Sequence, residues 1–404
     1  MHAPPRPAIF IFLWMEYPSI VVTMVGEESP LKGFGLKVDA LIKRRNLSRQ
    51  EVKEMMRQVL FHEQPDIPSG AFLAALTAKG PTAEEVAGCW EAVYEYDTPK
   101  VEIPGMKLVE NSGTGMDDLK TFNVSTASSI VAASCGIPVV KHAARAITSK
   151  CGAIDVAEAL GIDVDCPVEC VKKSIERCNI GIFNGMNPAL HPGLARILKD
   201  IRFGSVLNIA ASLANPAMPR IGLRGIYSRN LLLPVAEVMR EIGYKRALVV
   251  SGTSSRTGKS IDEVSIIGET YVAELFDDGT ISTYELAPKD VGVCASVDES
   301  EILASSDPKG EARALIRALS GEDRPKAAMT AANAGALIYL SGKSDSIADG
   351  AAVAFEAIGS GKAIEKLEEW IKAQNRDPER GIRIFESVAE TKSATFNPLL
   401  GFLI

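Results

Sequence analysis

Apolar residues recur at helical spacing in the first third of the chain. Between Val52 and Leu60 they fall three and four positions apart, which places them on one face of a helix. Residues 48–51 (Ser-Arg-Gln-Glu) and 82–85 (Thr-Ala-Glu-Glu) both match the capping box that opens a helix. Residues 68–79 form a further apolar segment that Gly80 and Pro81 would end. The pattern predicts a helical region before residue 99.

From residue 105 the pattern changes to short β-branched runs that alternate with helical segments. Residues 248–250 have the composition of a buried strand, and residues 269–276 with 284–286 predict a strand pair. Residues 167–201 are helical in pattern except at 181–183. Alternation of this kind is typical of an α/β domain.

The two ends of the chain differ from the rest. Residues 9–25 are rich in apolar side chains, but Glu16 and Pro18 interrupt them and no signal-peptide pattern surrounds them. We therefore predict an N-terminal extension over residues 1–30 and no membrane segment. Residues 377–404 are predicted to form a polar C-terminal extension.

Composition and charge narrow the class of protein. The 404 residues include 44 basic and 51 acidic side chains, a net charge of −7, which argues against a nucleic-acid surface that covers the whole protein. The seven cysteines form no Cys-x-x-Cys motif, so we interpret them as buried hydrophobic residues and not as metal ligands. This cysteine usage is typical of a reducing compartment and predicts a cytoplasmic protein.

Candidate chemistry is concentrated between Gly113 and Arg145. Gly113 and Gly115 would let the backbone approach a large anion, and Ser125 or Thr126 would cap a helix that runs to residue 135. The acids at 117 and 118 fit beside a phosphate if a divalent cation lies between them, and Lys141 adds positive charge. We interpret this stretch as a phosphate and magnesium site.

Further motifs follow in a fixed order along the chain. They are Gly113 to Asp117, Phe122 to Ala127, Lys141-His142, Ser149-Lys150, Asp155, Asn208, Asn215-Pro216 and Asp262 to Ser265, with residues 333–337 and 360–368 after them. In this order they resemble the anthranilate phosphoribosyltransferase family, whose wider class includes the pyrimidine nucleoside phosphorylases. The resemblance covers about residues 34 to 374.

The resemblance implies a fold and a domain order. The expected fold is a small discontinuous all-helical domain plus a larger α/β domain with a central mixed sheet flanked by helices. It implies a homodimer formed through the helical domain. The implied segments are 31–99 and 166–202 for the helical domain, and 100–165 and 203–376 for the α/β domain.

The resemblance also implies the chemistry: 5-phosphoribosyl pyrophosphate (PRPP) loses pyrophosphate as an aromatic nitrogen attacks its anomeric carbon. Lys141 and Mg²⁺ would stabilise the departing charge, with no side chain acting as general acid or base. The implied PRPP residues are Gly113, Thr114, Gly115, Asp117, Asn123, Ser125, Thr126 and Lys141. The implied magnesium residues are Asp262, Glu263, Asp117 and Ser125, and the acceptor side comprises His142, Ala144, Arg145 and His191.

The chain departs from the family pattern mainly on the acceptor side. The family motif Lys-His-Gly-Asn-Arg is Lys-His-Ala-Ala-Arg here, at residues 141–145. The family arginine that pairs with the anthranilate carboxylate has no clear equivalent, although Arg196 or Arg202 could replace it. Met116 and Asp118 stand where the phosphate turn has glycines, and Cys151 and Ala153 stand where a later loop has serines. We therefore predict an acceptor other than anthranilate.

Several alternatives remain open at this stage. They are a true anthranilate phosphoribosyltransferase, a nucleoside phosphorylase, and a non-catalytic binding protein on the same fold. Residues 252–260 resemble a nucleotide-binding P-loop, but five residues instead of four separate the two glycines. We predict a flexible loop over the active site there.

Overall fold

The computed structural model describes residues 30–146, 151–201, 203–294 and 296–389. In these ranges the helices are α1 (Pro30–Ile42), α2 (Arg49–Leu60), α3 (Asp66–Lys79), α4 (Ala83–Asp97), α5 (Val124–Ser134), α6 (Ala153–Ala159), α7 (Val168–Cys178), α8 (Pro192–Asp200), α9 (Leu207–Ala210), α10 (Leu232–Glu241), α11 (Pro308–Leu319), α12 (Arg324–Ser341), α13 (Ile347–Gly359), α14 (Lys362–Ala373) and α15 (Pro378–Ala389). The strands are β1 (Val109–Gly113), β2 (Val139–Ala143), β3 (Ile180–Asn184), β4 (Ile221–Gly225), β5 (Arg246–Thr253), β6 (Ser260–Ile261), β7 (Thr270–Leu275) and β8 (Ile281–Leu286). Short 3-10 helices lie at Arg229–Leu231, Pro288–Val291 and Glu299–Ile302.

Helices α1 to α4, α8 and α9 form the helical lobe. The capping boxes predicted at Ser48 and Thr82 are present and open α2 and α4. The apolar faces of α2 and α4 pack on each other, and α8 packs on both. The indole N–H of Trp90 donates to the carbonyl of Leu213 at 2.9 Å, so α4 is held to the segment that follows α9.

The α/β lobe is built on one mixed sheet, as predicted. Its strand order is β3-β2-β1-β4-β5-β7-β8, with β6 paired to β5. Strands β1 to β5 are mutually parallel, whereas β7 pairs antiparallel with β5 and β8 pairs antiparallel with β7. The parallel strands β1, β2 and β4 therefore end at the same edge, where ligands of open α/β sheets usually bind.

Two apolar layers cover the sheet. On one face α5, α11, α12, α13 and α14 form the larger core. On the other face α10 packs on β5 and β7 and also contacts α4, which joins the sheet to the helical lobe. The carboxyl edge of the sheet thus faces the junction of the two lobes.

The structure corrects the predicted extent of residues 166–202. Helix α7 packs on β3 and α14, so this part of the segment belongs to the α/β lobe. All five residues of β3 are buried, and the side-chain amide of Gln374 closes its free edge through the N–H and C=O of Ile182 at 2.9 and 2.8 Å. Only α8 from this segment joins the helical lobe.

The C-terminal boundary is also corrected. Helix α15 contacts α14 and α11, and Phe385 and Val388 are buried in the larger core. A Cβ on Gly161 would lie 2.2 Å from the carbonyl oxygen of Gly381, so the two backbones touch. Residues 377–389 are therefore part of the α/β lobe and not a polar extension.

The segment that resembles a P-loop in sequence lies between β5 and β6. Residues 254–259 form a closed hairpin between β5 and β6, in which Ser254 N–H donates to the carbonyl of Lys259 at 3.0 Å. Arg256 pairs with Asp298 at 3.0 Å, so this is neither a P-loop nor a free lid.

Residues 1–29 and 390–404, Ser149, Lys150 and Arg202 lie outside the described residues. Among the described helices, none combines the length and apolar character that crossing a bilayer requires.

Candidate active site

The predicted phosphate turn lies at the carboxyl end of β1. Gly115 has a φ of 68°, a left-handed conformation that favours glycine. Its N–H donates to Asp262 Oδ2 at 2.5 Å, and the Thr114 hydroxyl lies 3.4 Å from the same oxygen. A Cβ on Gly113 would lie 2.6 Å from Asp262 Oδ2. The turn therefore needs a glycine at position 113 to hold the Asp262 carboxylate this closely.

The two residues that replace family glycines point away from the turn. The Met116 side chain faces Gly204, where an added Cβ would lie 2.4 Å from its terminal methyl carbon. The exposed Asp118 accepts a hydrogen bond from the Ser260 hydroxyl at 2.9 Å. Neither side chain lines the cavity that contains Asp117 and Asp262. These two substitutions leave that cavity open.

Asp117, Asp262 and Glu263 form a buried carboxylate cluster. Burial and the charge of Asp262 raise the pKa of Asp117 to about 7, although Lys120 donates to Asp117 Oδ1 at 2.8 Å. Burial raises the pKa of Asp262, and burial followed by the charge of Asp262 raises that of Glu263 well above its usual value. Like charges crowded in a low-dielectric site favour protonation or a bound cation.

The carboxylate cluster could supply only part of the ligand set of a metal ion. Among the described residues, no group of three or more acidic, histidine or cysteine side chains is arranged to hold a metal ion by itself. Mg²⁺ at phosphoryl sites is typically held by one or two carboxylates, with phosphate oxygens and water completing the octahedron. Asp262 and Glu263 line one cavity with Asp117 and Ser125, so they could supply such ligands.

The amino end of α5 opens into the same cavity. Asn123 is the N-cap, so the helix begins at Val124 and the predicted caps Ser125 and Thr126 lie inside its first turn. The side-chain oxygens of Asn123 and Thr126 are buried, and neither has a hydrogen-bond partner in the described residues. The Ser125 N–H interacts with Glu263 and lowers the pKa of that carboxyl. Unfilled polar atoms at a helix amino end match a site for a phosphorylated ligand.

Lys141 lies beneath this helix end. Its ammonium group donates to the carbonyl of Asn111 at 2.8 Å and to the carbonyl and hydroxyl of Ser125 at 3.3 and 3.4 Å. Burial lowers the pKa of Lys141 to about 8, while the charges of Glu263 and Glu110 oppose that change. Lys141 therefore joins β1 to α5 and carries positive charge under the predicted donor site.

The predicted acceptor residues His142 and His191 meet across the two lobes. Their Nε2 atoms are 3.0 Å apart, and His191 Nδ1 lies 2.9 Å from the carbonyl oxygen of Asp97. His142 is on β2, whereas His191 immediately precedes α8. Burial lowers the pKa of His142 well below its usual value and that of His191 to about 4. Both rings are therefore neutral at physiological pH.

Two of the arginines considered for the acceptor side, Arg145 and Arg196, are already paired, whereas Arg202 lies outside the described residues. Ala144 and Arg145 line the cleft, but the Arg145 guanidinium lies against Asp155 and Glu158 at 3.1 and 2.7 Å. Arg196 donates to the carbonyl of Val59 at 2.5 Å and also contacts Asp66. Arg196 therefore faces α2 and α3 and does not line the acceptor cleft.

Two adjoining cavities meet at the phosphate turn. The first contains the carboxylate cluster and the amino end of α5. The second encloses about 910 Å³ including its open mouth, and His142, Ala143 and apolar side chains of the helical lobe line it. Gly113, Gly115, Ser125, Gly152 and Ala153 line both cavities. A molecule in each cavity would therefore touch the other at this shared wall.

Sequence reasoning missed part of the second cavity. Its apolar wall comprises Leu194, Leu198 and Leu207, and Ser112 forms part of its floor. Arg224 on β4 was also missed: it is buried opposite Ser112 but does not line the cavity, and a charged residue inside the apolar run 221–226 was a visible signal. Asn208, noted only as part of a motif, donates to the Thr114 carbonyl at 3.2 Å and ties the helical lobe to the phosphate turn.

Each of the two lobes matches a known protein-family model. Residues 105–364 match the glycosyl transferase family, a/b domain, and residues 38–96 match the helical bundle domain of the same family. Among solved structures, anthranilate phosphoribosyltransferase from Thermus thermophilus is 31% identical with a TM-score of 0.73, covering 83% of this chain and 98% of that one. The Saccharomyces cerevisiae enzyme in complex with PRPP and Mg is 25% identical with a TM-score of 0.72, covering 84% and 97%.

Sequence relatives agree with this placement. The anthranilate phosphoribosyltransferase of Methanothermobacter marburgensis is 36% identical over 335 residues, which span 81% of this chain and 94% of the relative. That of Methanopyrus kandleri is 35% identical over 340 residues, spanning 82% and 97%. The chain therefore belongs to the anthranilate phosphoribosyltransferase family and is a phosphoribosyltransferase of the glycosyltransferase type.

Proposed function

We propose that this enzyme uses Mg²⁺ to transfer the 5-phosphoribosyl group of PRPP to the nitrogen of an aromatic amine or base other than anthranilate. The observation that carries the proposal is the shared wall between the two cavities. One cavity offers carboxylates and a helix amino end, which suits a metal-bound pyrophosphate. The other offers apolar walls, which suit an aromatic ring.

The donor side is assigned to the turn Gly113 to Gly115 and to α5. The first-turn N–H groups of α5 and the unfilled side-chain oxygens of Asn123 and Thr126 would hold phosphate oxygens. Lys141 adds positive charge beneath Ser125. These groups are fixed by β1 and β2 before the donor binds, so the protein reorganises little during the reaction.

The carboxylate cluster would hold the metal at the leaving group. When bound there, Mg²⁺ neutralises charge that develops on the departing pyrophosphate. The contribution of the chain is to keep Asp262 in place through Gly115 and Glu263 through the Ser125 N–H. Lys120 holds Asp117 beside them. In the described structure this arrangement needs no side chain to act as a general base.

The acceptor side carries the argument against anthranilate. Small side chains stand at Ala143 and Ala144, and the guanidinium groups of Arg145 and Arg196 are bound elsewhere. Anthranilate itself is the second candidate, because sequence relatives at 35 to 36% identity carry that name. The two candidates differ in what the second cavity accepts.

We assign the enzyme to the cytoplasm and expect a homodimer. The apolar residues on the packed faces of α2 and α4 are buried in the helical lobe and offer no surface to a second copy. Exposed apolar side chains lie instead on α1 and α3, where Ile42 is 67% and Ile67 is 87% exposed. A second copy that covers Ile42 or Ile67 would remove exposed apolar surface from water.

The test is pyrophosphate release from PRPP and Mg²⁺ with a panel of aromatic amines and nitrogen bases that includes anthranilate. Mass spectrometry of the product identifies the accepted nitrogen. We expect turnover with an acceptor other than anthranilate and none with the Asp262→Asn/Glu263→Gln variant. The Asp118→Asn variant is the matched control and should keep full activity. Turnover with anthranilate alone would favour the second candidate, and turnover that survives the double substitution would contradict the proposal.

A further inference from the structure

A further cavity lies at the amino edge of the parallel strands, opposite the active site. Its lining comes from the connection between α4 and β1, the connection between α9 and β4, and the turns before β5 and after β7. Because both of these connections join the two lobes, we call it the hinge cavity. The Val101 N–H donates to the carbonyl of Pro216 at 3.0 Å and fastens one connection to the other. The cavity encloses about 1550 Å³ including its open mouth.

Basic side chains from adjacent strands meet in the hinge cavity. The strand register pairs Ile221, the first residue of β4, with the first residue of β1 and the first of β5. Arg220 and Lys245 immediately precede β4 and β5, and Lys107 stands two residues before β1. Since neighbouring strands are about 4.8 Å apart, these backbone positions lie along roughly 10 Å of the sheet edge. Lys100 adds a fourth positive charge from the α4 to β1 connection.

These four cations lack carboxylate partners in the described part of the chain. No oxygen of a described Asp or Glu lies within 4.0 Å of the side-chain nitrogens of Lys100, Lys107, Arg220 or Lys245. Arg220 Nη1 donates instead to the neutral carbonyl of Ile242 at 3.0 Å. The positive charge of the cavity is therefore not balanced by ion pairs.

The charges act across the junction of the lobes. The Lys100 ammonium lies 3.7 Å from the centre of the Tyr94 ring, and burial lowers the pKa of Lys100 against the opposing charge of Glu95. Burial raises the pKa of Tyr94, and the charge of Arg220 opposes that rise. Tyr94 belongs to α4 of the helical lobe, whereas Arg220 precedes β4 of the α/β lobe. The two lobes thus contribute to one electropositive cavity.

The charge balance of the lining favours a phosphate over a carboxylate. Two acidic side chains, Glu102 and Asp277, also line the cavity, and both are exposed. Four basic and two acidic side chains leave a local charge of +2 in a chain whose net charge is −7. A phosphate monoester carries about −1.5 to −2 charges at pH 7 and three acceptor oxygens, whereas a carboxylate carries a single charge. One phosphate group would therefore neutralise the lining.

The apolar part of the lining contains a strained residue. Met218 has a φ of 49°, a left-handed conformation that is uncommon for a residue with a side chain, and Pro219 follows it. The Met218 N–H donates to the carbonyl of Asn215 at 3.0 Å, which holds this turn. Backbone strain of this kind is concentrated at ligand sites and hinges. Met218 and Met106 both line the cavity and offer adaptable apolar contact to an organic group.

We propose that the hinge cavity binds a small organic phosphate and that its occupancy changes the affinity of the active site for PRPP. Lys107, Arg220 and Lys245 would hold the phosphate oxygens, and the methionine side chains would contact the organic part. A ligand there touches both connections between the lobes, and the active site lies between the same lobes, so each site would favour one lobe arrangement. The binding part goes beyond the proposed function, whereas the coupling part rests on it.

The binding test is NMR of the full chain labelled at the methionine methyl groups, without Mg²⁺. Phenyl phosphate, benzoate and phenol are titrated, and the signals of Met106 and Met218 report on the hinge cavity. We expect both signals to move with phenyl phosphate and not with phenol. The Lys107→Gln/Lys245→Gln variant should bind phenyl phosphate roughly 10-fold more weakly or worse, since it loses charged hydrogen bonds. The control Lys173→Gln/Lys289→Gln removes two exposed lysines outside the cavity and should bind as the unmodified chain does.

Four results would overturn the binding site. They are no movement of the Met106 and Met218 signals, equal movement with phenol, benzoate binding as tight as that of phenyl phosphate, and equal weakening in the control variant. The last result would mean a general attraction of anions to the surface. None of these measurements involves PRPP, so they are independent of the proposed function.

The coupling test is calorimetric titration of PRPP with Mg²⁺, with and without saturating phenyl phosphate. We expect the Kd for PRPP to change about 5-fold or more in the unmodified chain and to stay constant in the Lys107→Gln/Lys245→Gln variant. An unchanged Kd in the unmodified chain would overturn the coupling, and an equal change in both proteins would mean competition at the donor site. Absence of any PRPP binding to the unmodified chain would reject the proposed function and the coupling together, while the methyl signals still decide the binding site.

Discussion

Replacing Asp117 with asparagine should stabilise the unliganded protein above neutral pH. Burial, with the charge of Asp262, raises the pKa of Asp117 from 3.8 to about 7. The folded protein therefore holds this proton more tightly than the unfolded chain, so the free energy of unfolding falls as pH rises from 3.8 to about 7. A difference of about three pH units corresponds to about 4 kcal/mol at roughly 1.4 kcal/mol per unit.

Asparagine removes that charge and keeps an oxygen for Lys120. We expect the Asp117→Asn variant to gain about 2 to 4 kcal/mol at about pH 8 and almost nothing at about pH 4. The assay is urea unfolding followed by circular dichroism at both pH values, without Mg²⁺. Asp118→Asn is the control, because Asp118 is exposed and should change stability by less than about 0.5 kcal/mol. A loss of stability at the higher pH, or an equal gain at both pH values, would refute the reasoning.

Three further predictions follow from the same geometry. Magnesium binding with pyrophosphate at about pH 6 should release more protons from the unmodified chain than from the Asp262→Asn/Glu263→Gln variant, because burial raises the pKa values of the carboxylate cluster. Calorimetry in two buffers of different ionisation enthalpy measures the release, and equal release from both proteins would count against the cluster as the metal site. Gly225→Ala should lower the free energy of unfolding by more than about 3 kcal/mol, because a Cβ there would lie 1.5 Å from the carbonyl oxygen of Asp262. Gly70→Ala is the control: it has open space around it and should raise the free energy of unfolding by about 0.5 to 1 kcal/mol. Thermal unfolding of both variants tests this. Ile67→Asp should convert a dimer to a monomer in light scattering, and an unchanged mass would exclude this face as the interface.

The helical lobe could be predicted because its signals are local. The capping boxes at Ser48 and Thr82 and the apolar face of α2 depend on residues three and four apart. The boundary within residues 166–202 was wrong because it depends on distant contacts. Strand β3 becomes buried only by pairing with β2 and by receiving the amide of Gln374, almost two hundred residues away along the chain.

In the candidate site, too, the sequence motifs could be predicted, whereas the contacts between distant segments could not. Motif order placed Gly113, Asp117, Lys141 and Asp262 at one site, and the structure brings them to the carboxyl edge of the sheet. Arg224 was not predicted, because its position beside Ser112 follows from the register of β4 and β1, which no local pattern encodes. The pairing of Arg145 with Asp155 likewise depends on how α6 packs after β2.

The most direct test of the account is calorimetric titration of PRPP into the full chain, with and without Mg²⁺, repeated on the Asp262→Asn/Glu263→Gln variant. The account predicts binding that requires Mg²⁺ and that the variant loses while remaining folded by circular dichroism. PRPP binding that is equal with and without Mg²⁺, that survives the double substitution, or that fails at every Mg²⁺ concentration would contradict the assignment of these carboxylates to a metal-dependent donor site.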